Sequence, residues 1–427
     1  MFSLSRLSGL SRRRRPAAKV TRPAALGLAA LAVFTTLGPA ATPAQAKPED
    51  CPKGYLCVWK TDHATGEMLK LTKSMPTLGA WDNKVRAQSN RTNQYVCEYD
   101  EAHYGTSYWS VGVTEPDPGG TEWGYSVPSM SSLKFVPTYR ECSGPAYPSW
   151  STSFESPSRS SFANLDADYR ADLLVRDKVG RLWFLPGDGT GKLVGSGGWN
   201  AMNALSRHGD FSGDGKEDVI AREAATGKLW LYPGTGKGAL GSRKLIGSGG
   251  WNSMSQITAF GDLSGDGRSD LLAVEKSTGK LWLYPGTASG ALGARKLVGS
   301  GGWNGMSALV GPGDLDGDGR PDLLAREAST GKLWRYPGKT GAVGSRVLIG
   351  GGWNTMATLV GVGDTAQGDG RNDLITITNG TASTSLTGNS CSGAGCMMVY
   401  AGKGTGGLEK GYGDDSDYNW NDMSAVF

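Results

Sequence analysis

Three acidic loops with the same spacing are the strongest chemical signal in the sequence. Each places side-chain oxygens at loop positions 1, 3, 5 and 9 and glycine at positions 4 and 6. Oxygen ligands on a backbone bent by glycine suit a hard cation that takes about six to eight oxygens, so we predict structural Ca²⁺ sites. The predicted ligands are Asp210, Ser212, Asp214 and Asp218; Asp262, Ser264, Asp266 and Asp270; and Asp314, Asp316, Asp318 and Asp322.

Two further segments keep part of this pattern. We number the acidic segments loops one to five; they comprise residues 164–172, 210–218, 262–270, 314–322 and 364–373. Loop one has Ala167 and Tyr169 in place of the glycines, and loop five carries an extra residue after Asp364. The candidate ligands are Asn164, Asp166, Asp168 and Asp172 in loop one, and Asp364, Asp369 and Asp373 in loop five.

Position 12 distinguishes these loops from helix-flanked calcium loops. An EF-hand requires a carboxylate there, whereas loops two, three and four have Ala221, Ala273 and Ala325. The alternative to a metal is that each aspartate only forms a turn of a solvated loop. Clustered carboxylates repel one another without a cation, so three copies of one spacing favour calcium over turn formation alone.

The region that carries the loops, residues 162–427, consists of five copies of one unit. Segments close to Gly-Lys-Leu-Trp-Leu-Tyr-Pro-Gly occur at 180–187, 227–234, 279–286 and 331–338. A Trp-Asn block begins at Trp199, Trp251, Trp303, Trp353 and Trp420. The central copies are 52 residues apart. A repeat of this length indicates a structural unit that stacks on its neighbours.

Each unit contains four short strand patterns separated by glycine-rich turns. In the fourth unit these are residues 322–326, 332–336, 346–349 and 357–360. Four antiparallel strands per repeat are typical of a propeller blade. A solenoid is the alternative, but the last segment matches the strand that precedes an acidic loop, which favours a closed ring without open edges. We predict an all-β fold with a β-propeller of about five four-stranded blades.

The segment Gly-Asp-Leu-Asp-Gly-Asp-Gly-Arg-Pro-Asp-Leu-Leu at 313–324 resembles the FG-GAP/VCBS repeats of secreted and cell-surface propellers. The resemblance extends over residues 162–427. It implies that the acidic loops bind calcium, and that ligands or partners dock on the loops that connect blades.

Residues 47–142 form a separate region with four of the six cysteines. An even count in an exported chain favours disulfides, and six cysteines allow about 15 pairings. The close spacing favours Cys51–Cys57 and Cys391–Cys396 and leaves Cys97–Cys142.

The order Cys-Pro-x-Gly-x-x-Cys-Val-Trp at 51–59, two aromatic clusters and a Ser-Ser pair before a strand resemble a βγ-crystallin Greek-key motif. The region is also similar to small secreted bacterial metalloproteinase inhibitors of that fold. Inhibition would present a rigid, disulfide-tied loop to a protease cleft, because preorganisation limits the entropy lost on binding. The alternative is a stable crystallin-like module used for adhesion or spacing.

The first 46 residues have the composition of a secretory signal peptide. They hold seven basic and no acidic residues, an apolar run at 24–37 and a small-x-small site ending at Ala46. Removing them takes the formal charge from +4 to 4 − 7 = −3, which leaves no basic footprint for nucleic acid. No later apolar run approaches the ~20 residues of a membrane span. We predict secretion with cleavage near Ala46, and a Ser/Pro-rich linker at 143–161.

The sequence lacks common motifs for zinc, serine-nucleophile and phosphate chemistry. His63, His103 and His208 belong to no His-Glu-x-x-His zinc motif. A Gly-x-Ser-x-Gly elbow and a phosphate loop are also missing from the sequence. We therefore predict no catalytic residues; a secreted hydrolase on a propeller scaffold is the alternative.

Tryptophan at one place in every unit allows two interpretations. Packing between blades is the simpler one. Aromatic faces beside Asn amides also suit pyranose rings, and the Gly-Gly-Trp-Asn repetition is similar to five-bladed lectin propellers. The candidate ligand residues are Trp199, Asn200, Trp251, Asn252, Trp303, Asn304, Trp353 and Asn354.

The sequence thus predicts a secreted, non-catalytic binding protein. Its expected partner is an extracellular protein such as a secreted metalloprotease. A multivalent, carbohydrate-binding propeller for cell-wall or other polysaccharide glycans is the alternative.

Overall fold

Two antiparallel sheets form the N-terminal region. The computed structural model describes residues 46–105, 111–120, 122–126, 129–152, 162–382, 393–413 and 420–427. The strands of the region are β1 (Leu56–Trp59), β2 (Met68–Leu71), β3 (Ala87–Asn90), β4 (Tyr95–Tyr99), β5 (Gly112–Thr114), β6 (Gly124–Tyr125) and β7 (Ser132–Val136). Their order is β2-β1-β3-β6 in one sheet and β5-β4-β7 in the other.

Each of these sheets draws on both halves of the region. Strand β6 joins the first sheet beside β3, while Met75 of the first half pairs with Leu133 on β7. The side chains of Leu56, Val96 and Leu133 meet in the buried core. This exchange of strands is compatible with the Greek-key hypothesis, which stays a prediction.

Two disulfides hold this region together. They are Cys51–Cys57 and Cys97–Cys142, the two pairs that the spacing indicates here, and that part of the prediction is confirmed. Cys396 is also disulfide-bonded, but its favoured partner, Cys391, lies outside the described residues.

The remaining strands belong to the predicted propeller. They are β8 (Leu173–Asp177), β9 (Leu182–Leu185), β10 (Lys192–Gly195), β11 (Met202–Arg207), β12 (Val219–Glu223), β13 (Leu229–Tyr232), β14 (Lys244–Gly247), β15 (Met254–Gly261), β16 (Asp270–Glu275), β17 (Leu281–Tyr284), β18 (Lys296–Gly299), β19 (Met306–Gly313), β20 (Asp322–Glu327), β21 (Leu333–Tyr336), β22 (Gly338–Lys339), β23 (Ala342–Val343), β24 (Val347–Gly350), β25 (Met356–Gly361), β26 (Leu374–Thr378), β27 (Met397–Tyr400), β28 (Tyr412–Gly413) and β29 (Met423–Val426).

These strands form five four-stranded antiparallel sheets. Blades two, three, four and five are β11-β12-β13-β14, β15-β16-β17-β18, β19-β20-β21-β24 and β25-β26-β27-β28, and blade one is β29-β8-β9-β10. The strands predicted in the fourth unit are observed to within a residue or two at each end. The fourth strand of each sequence unit, however, is the innermost strand of the next blade. The blade is therefore offset by one strand from the sequence repeat.

This offset closes the ring. Strand β29, at the end of the sequence, pairs with β8, with Met423 opposite Asp177 and Val426 opposite Val175. Closure joins strands that are far apart in the sequence and covers the edge that a solenoid would leave open. The prediction of a closed propeller is confirmed, and the solenoid alternative is wrong.

A hydrophobic core fills each gap between neighbouring blades. The side chains of Leu229 and Leu231 of blade two, for example, pack against Leu271 and Ala273 of blade three. Four equivalent clusters occupy the other gaps, including the one between blades five and one. The innermost strands line a central cavity of about 220 Å³. The propeller is thus held by burial between blades rather than by one central core.

Part of the predicted linker packs on the propeller. Trp150 is 2% exposed, and its side chain lies in the core between blades five and one. Its Nε1 donates a hydrogen bond of 2.7 Å to the carbonyl oxygen of Ala171. Thr152 N donates to Gly187 O at 2.8 Å, while residues 153–161 lie outside the described part of the chain.

The residues next to Trp150 occupy a place that a hairpin strand fills in other blades. Blades two, three and five carry a short hairpin whose ends are joined by the bridges Gly234–Leu240, Gly286–Leu292 and Gly402–Leu408. Each of those leucines packs against the core beside it. In blade one the corresponding bridge joins Ser151 to Asp188. Residues next to Trp150 therefore supply the strand that blade one's own sequence lacks.

An ion pair connects the two regions. The guanidinium of Arg181, in blade one, donates to Glu141 at 3.1 Å and to Asp177 at 2.5 Å. Tyr147 packs on Trp183 with a ring-centroid distance of 5.2 Å. The N-terminal region is thus attached to the side of blade one.

Helical structure is confined to single turns in the part of the chain that the structure describes. The 3₁₀ helices are Pro48–Asp50, Gly79–Trp81, Ala102–Tyr104, Tyr139–Cys142, Trp199–Ala201, Trp251–Ser253, Trp303–Gly305, Trp353–Thr355 and Trp420–Asp422. None of the described helices is long and apolar enough to cross a membrane. The predicted signal peptide, apart from Ala46, lies outside the described residues.

Candidate metal loops and interblade pockets

The acidic loops lie beside the innermost strands. Loops two to five each connect the first strand of a blade to its second strand, and loop one precedes β8. A cavity of about 670 Å³ opens between loops two, three and four, and Phe162 and His208 also line it. The strand order thus brings together loops that are about 50 residues apart in the sequence.

In loops two to five, the last aspartate joins the loop to the blade behind it. In loop two, Asp218 is fully buried; its Oδ2 accepts from Ser212 N at 2.6 Å and its Oδ1 from Gly234 N at 2.8 Å. The same bond to a hairpin glycine occurs in loops three, four and five, at Gly286, Gly338 and Gly402. This aspartate therefore has a structural role with or without a metal.

The first aspartate of each loop bends the backbone around itself. Asp210 accepts from Gly213 N at 2.6 Å and from Gly215 N at 2.7 Å. Asp262, Asp314 and Asp364 accept equivalent bonds within their own loops. Turn formation, the alternative considered for these residues, is thus present in loops two to five.

Loop two fits a cation. One carboxylate oxygen from each of Asp210, Asp214 and Asp218 lies within 4.8 Å of the others. Burial, with a smaller contribution from the Asp210 carboxylate, raises the pKa of Asp218 to about 6. Three converging carboxylates, one of them desolvated, supply oxygen ligands of the kind that Ca²⁺ prefers.

Loop one fits a cation as well, although it lacks both glycines. Oxygens of Asp166, Asp168 and Asp172 converge within 4.8 Å, and Ala167 and Tyr169 adopt positive φ angles where glycine would be expected. Burial and the neighbouring Asp166 raise the pKa of Asp172 to about 9. Burial and Asp168 raise the pKa of Asp166 to about 6.

Loop one also contains buried polar atoms without hydrogen-bond partners. Both side-chain polar atoms of Asn164, which is 8% exposed, and Oδ1 of the fully buried Asp172 are unsatisfied. Buried polar atoms without partners destabilise a fold unless a ligand or ion satisfies them. The two unpartnered oxygens, Asn164 Oδ1 and Asp172 Oδ1, therefore favour a bound cation.

Loops three and five are less converged. Among the described acidic side chains, those of Asp262, Asp266 and Asp270 do not form a group within 4.8 Å, and neither do those of loop five. Their first and last aspartates keep the backbone hydrogen bonds described above. In each of these two loops, the oxygens of the predicted ligands do not converge on one point.

Loop four holds a cation from the protein itself. The Arg335 guanidinium donates to Asp316 and, at 3.1 Å, to Asp322. The acidic group that converges here is Asp314, Asp316 and Asp322, so position 3 replaces the position 5 that loop two uses. The predicted ligand Asp318 instead lies 3.9 Å from Arg320.

Sequence reasoning missed Arg335 and a second buried ion pair. Arg207 and Glu217 are joined at 2.9 Å with both side chains 3% exposed, and Glu217 also accepts from Ala163 N and Asn164 N of loop one. A column-by-column comparison of the repeats could have found Arg335, because its counterparts in blades two and three are Leu231 and Leu283.

The Trp-Asn blocks are used largely in packing. The Asn200 amide donates to Lys178 O in the turn of the preceding blade at 3.0 Å, and Asn252, Asn304 and Asn354 do the same to Ala224, Lys276 and Ala328. Trp199, Trp251, Trp303 and Trp353 are 6–9% exposed. Each packs against a tyrosine in a tilted arrangement, with 4.7–4.8 Å between the ring centroids. This arrangement supports the packing interpretation.

One interblade site remains open. A cavity of about 380 Å³ lies beside Trp353 and Tyr400 and is lined by the three consecutive glycines 350–352. Glu409 and Lys410 stand exposed at its rim. It combines aromatic side chains with a charged edge.

Sheets and loops together define a five-bladed β-propeller with acidic loops beside its central channel, attached to a small disulfide-bonded β domain. Two family models match these parts. Residues 44–111 match Peptidase inhibitor family I36, and residues 210–273 and 262–325 match the FG-GAP-like repeat. The N-terminal region is thus similar to this inhibitor family over residues 44–111, and the propeller contains segments that match FG-GAP-like repeats. No curated protein matches the chain.

Three solved structures are similar to part of this chain. A chain of the Photorhabdus luminescens Tc holotoxin pore is 14% identical with a TM-score of 0.31, and the match covers 68% of this chain but only 12% of that chain. A luciferin-regenerating enzyme is 8% identical with a TM-score of 0.34, and the match covers 62% of this chain and 77% of the enzyme. The Dos1 propeller is 9% identical with a TM-score of 0.26, and the match covers 52% of this chain and 59% of that chain. At these TM-scores the blade assignment rests on the sheets of this chain alone.

Proposed function

We propose that this chain is a secreted, non-catalytic binding protein whose inhibitor-like N-terminal region binds a peptidase and whose propeller is a calcium-stabilised scaffold. The match of residues 44–111 to a peptidase inhibitor family carries this proposal. Neither matched family is an enzyme family. The extracellular setting agrees with the two disulfides of the domain.

The loop closed by Cys51–Cys57 is the surface we assign to the peptidase. Lys53, Gly54 and Tyr55 are exposed within it. Beneath them, Arg91 donates its backbone N–H to Tyr55 O at 2.9 Å and accepts from Gly54 N at 2.7 Å. A loop held by a disulfide and by hydrogen bonds loses little conformational entropy when it enters a cleft.

Inhibition of purified metalloproteases by the mature chain tests this function. We expect the wild-type chain to lower the activity of at least one secreted metalloprotease, and Tyr55→Ala to weaken that inhibition at least tenfold. Tyr125→Ala is the matched control, because Tyr125 is a more exposed tyrosine (73%) near the other end of β3. Inhibition by no protease of the panel, or equal loss in both variants, would refute the assignment.

Calcium enters the proposal as a structural ion of loops one and two. Their converging carboxylates, and the unsatisfied Asn164 and Asp172 atoms in loop one, support it. Bound there, Ca²⁺ would neutralise the carboxylates that now repel one another. The ion would hold each loop between the innermost and second strands and take no part in chemistry.

A glycan is a second candidate ligand, favoured by the cavity beside Trp353. Its aromatic walls suit the apolar face of a pyranose ring, and Glu409 and Lys410 can accept and donate hydrogen bonds at the rim. A glycan array tests it with wild-type protein and with Glu409→Gln and Lys410→Ala. These rim residues are exposed, so their exchange leaves the core unchanged; an array without retained glycans removes this candidate.

A further inference from the structure

Arg335 stands at a position that is apolar in the other blades. The position is the third residue of the third strand, directly beneath the acidic loop. Its occupants are Phe184, Leu231, Leu283, Arg335 and Val399 in blades one to five. At this strand position, only blade four carries a charged side chain.

Loop four differs from loops two and three at a second position, and this difference complements the presence of Arg335. Loop position 3 is serine in loops two and three, at Ser212 and Ser264, but Asp316 in loop four. The Arg335 guanidinium donates directly to that extra carboxylate and also to Asp322 at 3.1 Å. The added negative charge and the added positive charge thus occur in the same blade and contact each other.

Arg335 occupies two of the oxygens that a metal would need, Asp316 Oδ2 and Asp322 Oδ2. Oδ2 of Asp322 accepts from Leu315 N and from Arg335, and Oδ1 accepts from Gly338 N at 3.1 Å. The Arg335 guanidinium carries a positive charge, as arginine side chains in proteins effectively always do. A divalent ion among the same carboxylates would lie against that positive charge, which Coulomb repulsion disfavours.

The Arg335 guanidinium is largely enclosed in this arrangement. The Arg335 side chain is 8% exposed. The hairpin of blade five covers it: a Cβ atom at Gly406 would lie 2.5 Å from the Arg335 Cζ atom. Gly406 N also donates to Leu315 O at 2.7 Å. Moving the arginine aside would require this hairpin to open.

We infer that loop four does not bind a metal ion and that Arg335 takes the place of one. Loop four would then be stabilised permanently by an internal cation, while loops one and two depend on calcium. The inference about metal selectivity rests on the proposed calcium function, whereas the coupling of Arg335 to Asp316 does not.

Counting bound Ca²⁺ by native mass spectrometry tests whether loop two binds the ion and loop four does not. Asp210→Asn and Asp314→Asn are a matched pair, since both change position 1, in loops two and four respectively, and both residues belong to the converging acidic groups. We expect Asp210→Asn to lose one bound Ca²⁺ and Asp314→Asn to lose none. Loss of one ion from Asp314→Asn would overturn the inference while leaving the calcium function intact. An additional ion bound by the double variant Arg335→Leu/Asp316→Ser, relative to wild type, would support it.

Thermal unfolding in chelator tests the internal cation without any metal. We expect Arg335→Leu to lower Tm by several degrees, because Asp316 and Asp322 then lose their counter-charge. The added exchange Asp316→Ser should restore at least half of that loss. The same loss in the single and double variants would overturn the inference, even if wild-type protein binds no calcium at all.

Discussion

The indole Nε1 of Trp150 donates a hydrogen bond of 2.7 Å to the carbonyl oxygen of Ala171. This contact joins a residue of the predicted linker to the residue that precedes the last aspartate of loop one. The Trp150 ring also contacts the core between blades five and one, which is the gap where the ring closes. The linker thus helps to hold the closure of the propeller.

Trp150→Ala should destabilise the propeller by about 3–5 kcal/mol, because it empties a fully buried indole site in that core. Trp150→Phe should cost less, since an aromatic ring still fills much of the site, although the hydrogen bond and part of the buried volume are lost. Denaturant unfolding followed by tryptophan fluorescence measures both. The exposed Tyr125→Ala is a control that should stay within about 0.5 kcal/mol of wild type. Wild-type stability in Trp150→Ala would mean that the linker does not support closure.

The Arg207–Glu217 pair should be among the most sensitive polar contacts. Glu217→Ala should destabilise the protein by about 3–5 kcal/mol, because it leaves a buried guanidinium without its counter-charge and two backbone N–H groups of loop one without an acceptor. The exposed Lys60–Glu67 pair is the comparison: Glu67→Ala should change stability by about 1 kcal/mol or less. Similar effects of the two exchanges in urea unfolding would contradict this reasoning.

Calcium removal should lower the melting temperature. Free Ca²⁺ at 100 times its dissociation constant should stabilise the fold by about 2.7 kcal/mol per site, because the ion binds only the folded loops. Calorimetry in calcium and in chelator measures this shift as several degrees. Asp214→Asn should reduce the shift, whereas Asp188→Asn, outside the acidic loops, should leave it unchanged. An identical Tm in calcium and chelator would exclude structural calcium.

His208 should make stability depend on pH. Burial lowers its pKa from 6.5 to about 3, and it stacks on Phe162 at a centroid distance of 4.0 Å. Since the folded pKa lies below the unfolded one, the full contribution is present above pH 6.5. It is lost as the pH falls from there toward 3, by about 1.4 kcal/mol per pH unit.

The variant His208→Phe removes this titration. In urea unfolding with chelator present, its stability should fall less steeply than that of wild type between pH 6.5 and 4.5. The carboxylates titrate in both proteins, so the difference between the two curves isolates the histidine. Parallel curves would show that His208 accepts a proton in the folded protein without penalty.

Local periodicity made much of the architecture predictable. Units 52 residues apart, with a Trp-Asn block and an acidic loop in each, indicated five four-stranded blades. The likeness of the last segment to the strand before each loop indicated closure, now observed as Val426 opposite Val175. The spacing also indicated Cys51–Cys57 and Cys97–Cys142. These features are visible in the sequence because every repeat packs against its neighbours in the same way.

The candidate site was predictable only in part. Spacing located the five loops, but it could not tell which of them bring their oxygens together. Asp210, Asp214 and Asp218 converge although Asp262, Asp266 and Asp270, at the same spacing, do not. That difference depends on small displacements of the backbone and side chains, which a one-dimensional pattern does not record.

The sequence by itself determined the repeat, the number of blades and the position of every acidic loop. Only the tertiary structure decided that Arg335 enters loop four, that Trp150 fills the gap beside blade one, and that the Asn amides bond to the preceding blade. The physical reason is the same in each case. These contacts join segments from different strands or blades, so they depend on how the sheets stack rather than on the order of residues within one unit.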